Sequence, residues 1–327
     1  MKEKSSGFNP LRSLHLGESG AFLALMVLLA VASWRYGNEF LSYTNISNVL
    51  RQVSMVGLIS VGMSLVIITG GIDLSVSATV ALCGILAAQL SASNLALAIA
   101  LPLVVGTLVG LVNGIVITKL KIVPFIATLA VQMAVRGISY LMTDMQSVPV
   151  PDEASSFIFL GRGYIAGMPA PVLFFLAASI VLAIVIQRTS FGRSLYAIGG
   201  NDDAARMMGV LSGRNQTICY MITGLLSGLA GVILCARLGA GQPVAAEGWE
   251  MDAIASVAIG GTLLTGGVGG VWRTVWGVLI IGFIKNIINL QGNINSYWQN
   301  IIMGLILLVV IILQNRSILT RIRRKQS

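Results

Sequence analysis

Two stretches of this chain place polar side chains at helical spacing within apolar sequence. In the first, Gln132, Arg136 and Tyr140 lie four residues apart and therefore share one face of a helix. Polar groups in an apolar environment are costly without a partner or a function, and such groups beside aromatic rings suit a small polar ligand. These residues are candidates for lining a ligand path, although bonding between helices also accounts for them. The second stretch contributes Asn286, Asn289, Trp298 and Gln299, which follow Lys285.

Two glycine-rich junctions, Gly70 to Ser75 and Gly260 to Gly267, interrupt the apolar sequence. Asp73 in the first junction has two interpretations: it lines the path at a broken helix, or it caps the helix that follows. Each junction lies within a similar group of apolar runs, which favours an inverted internal repeat of the kind that transporters use for alternating access. Two unrelated glycine-rich turns would give the same pattern.

A polar segment later in the chain has the residue order of a short, capped helix. Asn201 can accept a hydrogen bond from the first free amides, and the next two acidic residues lie where the helix dipole favours carboxylates. Gly209 can end the helix in the left-handed conformation, and the methionines before it offer an adaptable apolar surface. The design favours a docking site for a partner protein, although an ordinary loop helix is also consistent. The segment comprises Gly200, Asn201, Asp202, Asp203, Ala204, Ala205, Arg206, Met207, Met208 and Gly209.

The composition indicates a membrane protein. Hydrophobic residues make up 56% of the 327 residues and charged residues only 10%, compared with roughly 25% charged in a soluble domain. The mean hydropathy of +0.87 agrees. The net charge of +9 does not indicate nucleic acid, because the basic residues lie in short segments between apolar runs.

Continuous apolar runs predict an all-α, polytopic fold with about ten transmembrane helices in a single domain, residues 1–327. A bilayer core of about 30 Å requires roughly 20 apolar residues per helix, whereas barrel strands would alternate. The runs lie near residues 20–36, 53–70, 75–92, 95–118, 123–143, 170–187, 217–237, 253–268, 272–290 and 297–314.

Basic residues predict the orientation. The tails 1–19 and 315–327 and the loop 188–216 are rich in arginine or lysine, which places them in the cytoplasm by the positive-inside rule. The loop 144–169 is acidic and falls on the periplasmic side. The prediction is therefore a multi-pass protein of the inner (plasma) membrane with both termini cytoplasmic.

Several catalytic constellations are missing from the sequence. No lysine follows a glycine, so the phosphate-binding loop of an ATPase is absent. His15 is the only histidine, which argues against a Ser-His-Asp triad and a metal cluster. The scattered Cys83, Cys219 and Cys235 are interpreted as small core residues. We therefore expect neither an enzyme nor a bound metal or cofactor in this chain.

Four motifs resemble those of the permease subunits of ABC importers for ribose, xylose, arabinose and galactose. The resemblance extends from about residue 40 to residue 315, and Ser77 and Arg273 depart from it because the family usually has glycine there. The motifs are Gly70-Gly71-Ile72-Asp73-Leu74-Ser75, the segment from Ala197 to Gly209, Glu250-Met251-Asp252-Ala253-Ile254-Ala255 running into Gly260-Gly261-Thr262, and Asn286 through Gln299.

The resemblance implies a subunit that translocates a pentose or hexose while a separate ATPase subunit binds ATP and Mg²⁺. It implies that the segment from Gly200 to Gly209 is the coupling helix received by that ATPase. The other implied partners are a periplasmic sugar-binding protein, a second permease copy or paralogue, and membrane lipid, with no nucleic acid. The alternative function is an ion-gradient-driven secondary sugar transporter, for which Asp73 is the one acidic residue at a plausible membrane depth.

Overall fold

The computed structural model describes residues 10–292 and 297–326 of the chain, with side chains within 20–292 and 298–314. Three sets of predictions lie outside these described parts. They concern His15, the basic side chains of the tails 1–19 and 315–327, and residues 293–296 of the fourth motif.

The described chain is mainly helical. Two pairs of two-residue strands, β1 (Val148–Pro149) with β4 (Ala240–Gly241) and β2 (Tyr164–Ile165) with β3 (Met168–Pro169), are antiparallel. The helices are α1 Pro10–Leu41, α2 Tyr43–Ile68, α3 Val76–Leu90, α4 Leu95–Thr118, α5 Pro124–Thr143, α6 Ser155–Arg162, α7 Ala170–Arg188, α8 Ser190–Gly200, α9 Asp202–Met207, α10 Ser212–Leu238, α11 Trp249–Ile259, α12 Val271–Leu290 and α13 Tyr297–Gln326.

The long apolar helices confirm an all-α, polytopic membrane protein. Among the described residues, seven helices are long and apolar enough to cross a membrane, namely α1, α2, α4, α5, α7, α10 and α12. Helix α3 and the part of α13 from Ile301 to Ile312 are apolar but shorter. Each of the ten predicted runs overlaps a helix, and α11 accounts for the remaining run. The number of crossings and the internal repeat stay predictions.

Two helix ends differ from those predicted by hydropathy. Helix α2 begins at Tyr43, ten residues before the predicted run, because the Ser42 side chain caps it by accepting a hydrogen bond from the Asn45 amide. The run near 253–268 is helical only to Ile259 and continues as turns, in which Gly266 has a φ of +87°. Hydropathy does not distinguish a helix from the turns that follow Ile259, because a buried apolar turn is as hydrophobic as a helix.

Helix α2 forms the centre of the protein. Within its most apolar window 83% of the residues are buried inside the protein, compared with 22% for α4 and α5. It packs against α7, α10, α11 and α12. The outer helices α4 and α5 therefore present most of their apolar side chains outward, where lipid is the solvent.

Helices α4 and α10 approach each other backbone to backbone. A Cβ atom added at Gly106 would lie 2.3 Å from the carbonyl oxygen of Gly224, and one added at Gly224 would lie 2.1 Å from that of Gly106. Close packing through small residues is the usual way that helices associate where lipid removes the hydrophobic driving force. Glycine is therefore required at these two positions by space.

The close approach of α4 and α10 predicts that alanine substitutions at two helical glycines differ in their effect on stability. Gly106→Ala should lower the unfolding temperature of the detergent-solubilised protein, because overpacking typically costs about 1–3 kcal/mol. Gly137→Ala in α5 is the matched control, since a Cβ there meets no atom within 4 Å. It should leave the temperature unchanged or raise it, because alanine favours a helix by up to about 1 kcal/mol. Equal unfolding temperatures for both variants would contradict the backbone contact.

Candidate translocation and coupling sites

A cavity of about 290 Å³ lies between α2, α11 and α12. Three helices contribute polar side chains to it, and one aromatic side chain, Trp249, forms part of its wall. Its polar lining residues are Asn45, Asn48, Gln52, Asp252, Lys285, Asn286 and Asn289, and its apolar ones are Val49, Val53, Val56, Val278, Ile281 and Leu290, with Gly282.

Paired amides connect the helices around the cavity. Asn45 of α2 donates through Nδ2 to Oδ1 of Asn286 at 3.1 Å, and Asn286 donates back to Oδ1 of Asn45 at 2.7 Å. Asn289, one turn further along α12, accepts a hydrogen bond of 2.6 Å from Nε2 of Gln299 in α13. These amide groups hold three helices in register at one end of the cavity.

An ion pair between α11 and α12 forms part of the cavity wall. The Lys285 ammonium of α12 donates a hydrogen bond to the Asp252 carboxylate of α11. The two side chains are only 20% and 10% exposed, so neither charge is well solvated. Because each charge neutralises the other, the cavity presents polar groups without a net charge.

The predicted path residues do not lie together in one site. Asn286 and Asn289 line the cavity, and Gln299 bonds to its rim. Trp298 is 53% exposed at the start of α13. The stripe on α5 (Gln132, Arg136 and Tyr140) does not line the cavity.

The α5 stripe makes internal contacts instead. Arg136 donates through Nη1 to the carbonyl oxygens of Pro243 at 2.7 Å and Ala245 at 3.0 Å, which holds the segment after β4. Gln132 donates a hydrogen bond of 3.4 Å to the hydroxyl of Ser77. The serine that stands where the family usually has glycine therefore has a hydrogen-bonding partner. Tyr140 is partly buried on the same face. These contacts correspond to the alternative interpretation of the stripe, bonding between helices.

Asp73 makes internal contacts in the turn before α3, whose N-cap is Ser75. Its Oδ1 atom accepts hydrogen bonds from the Ser75 amide at 2.9 Å, the Ser75 hydroxyl at 2.7 Å and Nδ2 of Asn113 at 3.3 Å. Its side chain is buried before α3 and does not line the cavity. Asp73 therefore ties the first glycine-rich junction to α4.

The predicted local structure of the segment from Gly200 to Gly209 is confirmed. The Asn201 side chain caps α9 by accepting a hydrogen bond of 3.0 Å from the Ala204 amide, and Gly209 has a φ of +83°. Met207 and Met208 are 90% and 73% exposed. One addition is α8, which precedes the segment and ends at Gly200. Its coupling role stays a prediction.

Helix α8 connects this segment to both glycine-rich junctions. A Cβ atom at Gly199 would lie 1.9 Å from the carbonyl oxygen of Ile68 and 2.3 Å from the amide nitrogen of Gly267. The Gly267 amide donates to the Ile68 carbonyl at 2.9 Å, and the Tyr196 hydroxyl donates to the carbonyl of Gly269 at 3.0 Å. The end of α2, the end of α8 and the turns between α11 and α12 therefore meet at one point, which we call the glycine junction.

Sequence reasoning missed three cavity residues on α2. Asn45, Asn48 and Gln52 are spaced by three and four residues, so they form a polar stripe on one helix face. The signal was present, but the predicted apolar run began at residue 53, after the stripe. Trp249 and Asp252, at the start of α11, were likewise not among the predicted path residues.

Known proteins are similar in sequence to most of this chain. The family described as "Branched-chain amino acid transport system / permease component" matches residues 45–311. The chain belongs to this permease family. No solved structure gives a significant match.

Named relatives of the permease cover most of its length. It is 43% identical over 300 residues to the ribose import permease protein RbsC of Bacillus subtilis, covering 91% of this chain and 92% of that one. It is 37% identical to the L-arabinose transport system permease protein AraH of Escherichia coli, covering 89% and 88%. It is 41% identical to the inner membrane ABC transporter permease protein YjfF of Escherichia coli, covering 84% and 85%. These relatives confirm the resemblance inferred from the four motifs.

The ion pair predicts that substitutions at Asp252 and Lys285 have non-additive effects on the free energy of unfolding. Lys285→Met should lower the free energy of unfolding of the permease by about 1–3 kcal/mol, somewhat less than for a fully buried pair, because it leaves the Asp252 carboxylate without its partner. The double variant Asp252→Asn with Lys285→Met should recover part of this loss. Thermal unfolding in detergent measures both. A double variant as unstable as the sum of the two single variants would show that the pair contributes nothing.

Proposed function

We propose that this permease imports a monosaccharide of the pentose or hexose class across the inner membrane, using ATP hydrolysed by a separate subunit. The observation that carries the proposal is the 43% identity with a ribose import permease over 91% of the chain. The polar cavity, which carries no net charge, supports it, because amide groups beside an aromatic ring suit a polyhydroxyl ligand.

The segment from Gly200 to Gly209 is the proposed contact with the ATPase, which binds ATP and Mg²⁺. Its two exposed methionines offer an apolar surface that can adapt to a cleft. Through Gly199, a displacement of this segment would reach the end of α2 and the turns that join α11 to α12. Those helices form the walls of the cavity, so ATP hydrolysis could change its shape.

The proposed topology has ten crossings, both termini in the cytoplasm and an inverted repeat around the two glycine-rich junctions. The helices α3 and α11 and the apolar part of α13 supply the crossings beyond the seven long helices. The non-helical stretches at both junctions support the repeat, because broken helices are typical of repeat-built transporters. The cavity then lies toward the periplasm, where α2 begins.

Three further partners complete the proposed importer. A periplasmic sugar-binding protein delivers the substrate to the outer side, where the segments 144–169 and 240–248 lie. A second copy of the permease, or a paralogue, forms the other half of the membrane domain. Membrane lipid surrounds the exposed apolar faces of α4 and α5.

Substituting an exposed methionine tests the ATPase contact. Met207→Glu should abolish co-purification of the ATPase and ATP-dependent sugar uptake, because a carboxylate in an apolar cleft is strongly unfavourable. The permease itself should stay as stable as the parent within about 0.5 kcal/mol, because this residue is on the surface. Met145→Glu is the matched control for co-purification of the ATPase, since Met145 is 63% exposed in the loop after α5, away from the proposed ATPase contact. Undiminished ATP-dependent uptake by Met207→Glu, or ion-driven uptake without ATP, would refute the proposal.

Two adjacent glycines test the transmission. Gly199→Ala should reduce ATP-dependent uptake while the ATPase still co-purifies, because the new Cβ would push the glycine junction apart at a cost of about 1–3 kcal/mol. Gly200→Ala, compared at equal co-purification of the ATPase, should reduce uptake less, because a Cβ at that position meets no atom of the permease within 4 Å and leaves the glycine junction intact. Equal uptake by the two variants would show that the junction does not transmit the signal.

A further inference from the structure

The polar side chains of the cavity divide into paired and free groups. Asn45, Asn286, Asp252 and Lys285 all have side-chain partners. Asn48 and Gln52 line the same cavity and are exposed, and among the described residues their side chains make no hydrogen bond. A carboxamide offers two donor hydrogens and an acceptor oxygen, so both residues can receive and donate hydrogen bonds.

The free amides lie on one wall of the cavity. Asn48 and Gln52 are four residues apart on α2, so they lie one above the other on the same helix face. The stripe that they continue begins at Asn45, whose amide is already engaged with α12. A ligand that occupies the cavity would therefore meet two unsatisfied amides on one side and paired groups on the other.

The charge of the cavity restricts the ligand class. Its charged lining residues, Asp252 and Lys285, bond to each other. An anionic ligand would have to break this pair or approach the Asp252 carboxylate, and either is unfavourable in a poorly solvated site. A neutral ligand with several hydroxyl groups requires neither.

The size of the cavity restricts the ligand further. Its volume of about 290 Å³ is close to the lower end of ligand pockets, roughly 300 Å³. One monosaccharide ring fits this range better than a disaccharide. Trp249 and the apolar residues of α12 offer surface for the carbon-bound hydrogens of the ring.

We propose that this cavity binds one neutral monosaccharide within a single permease subunit, and that Asn48 and Gln52 are its direct hydrogen-bonding residues. The proposal rests on the proposed import of sugar and assigns that function a binding site. The pair of Asp252 and Lys285 keeps the site neutral and selects against phosphorylated sugars. The turns that join α11 to α12 link the site to the glycine junction.

A cysteine protection experiment tests the site. The three native cysteines are buried, so they should react slowly with N-ethylmaleimide. The Asn48→Cys variant, as the full chain in native membranes without added ATP, should be labelled readily because position 48 is exposed. D-ribose or L-arabinose should slow this labelling by about threefold at twice the dissociation constant, as single-site occupancy requires. Ribose 5-phosphate should not slow it.

Three further variants define the outcome. Labelling of Gln146→Cys, which is exposed outside the cavity, should not change with sugar. Adding Gln52→Ala to the Asn48→Cys variant should weaken the protection. Labelling of Asn289→Cys, which is exposed in the same cavity and keeps both proposed hydrogen-bonding residues, should also be slowed by sugar. Failure of both Asn48→Cys and Asn289→Cys to react, equal labelling of both with and without sugar, or protection by an alkyl detergent alone would overturn the proposed site.

The same experiment separates the site from the proposed function, because protection requires neither ATP nor the ATPase. Sugar uptake without protection would show that the cavity is not the sugar-binding site, while the proposed import function would stand. Protection without ATP-dependent uptake would support the sugar-binding site and reject the proposed import function.

Discussion

The hydrogen bond from the Gly267 amide to the Ile68 carbonyl determines how the rest of the structure is arranged. The last carbonyl groups of a helix have no partner within it, and an unpaired one away from water costs several kcal/mol. Here a turn from the other end of the chain supplies the partner of α2. Glycine at position 199 leaves room for this approach, because a Cβ would overlap the same carbonyl oxygen. The central helix α2, helix α8 and the turns between α11 and α12 therefore share one contact.

Pairing of polar groups separates structural from functional candidates within the membrane domain. Arg136, Gln132 and Asp73 each bond to internal partners, which accounts for polar groups at these positions without a ligand. Asn48 and Gln52 do not, although they lie on the helix with the most buried window. A polar residue in a membrane protein thus indicates a ligand site when its partners are missing, rather than by its presence alone.

The sequence was sufficient to predict features that depend on local chemistry. The cap at Asn201, the left-handed Gly209 and the apolar helices follow from neighbouring residues, and all are confirmed. Features set by distant contacts could not be predicted. Helical periodicity shows that Gln132 and Arg136 share a face, but it does not show that Ser77 and the carbonyls after β4 lie opposite. The cavity was only partly predicted, because α12 was recognised and the stripe on α2 lay before the predicted apolar run.

The pairing of β1 with β4 has a mechanical consequence. These short strands follow α5 and α10, so their ladder fastens two parts of the chain that are distant in sequence. Arg136 reinforces the same place through Pro243 and Ala245, just before α11 begins. The chain is thus clamped at the end where α11 starts, while the opposite end of α11 is attached to the glycine junction. A displacement of the glycine junction would therefore turn α11 about its clamped end, and because the cavity lies beside that end, such a rotation would tilt Trp249 and Asp252.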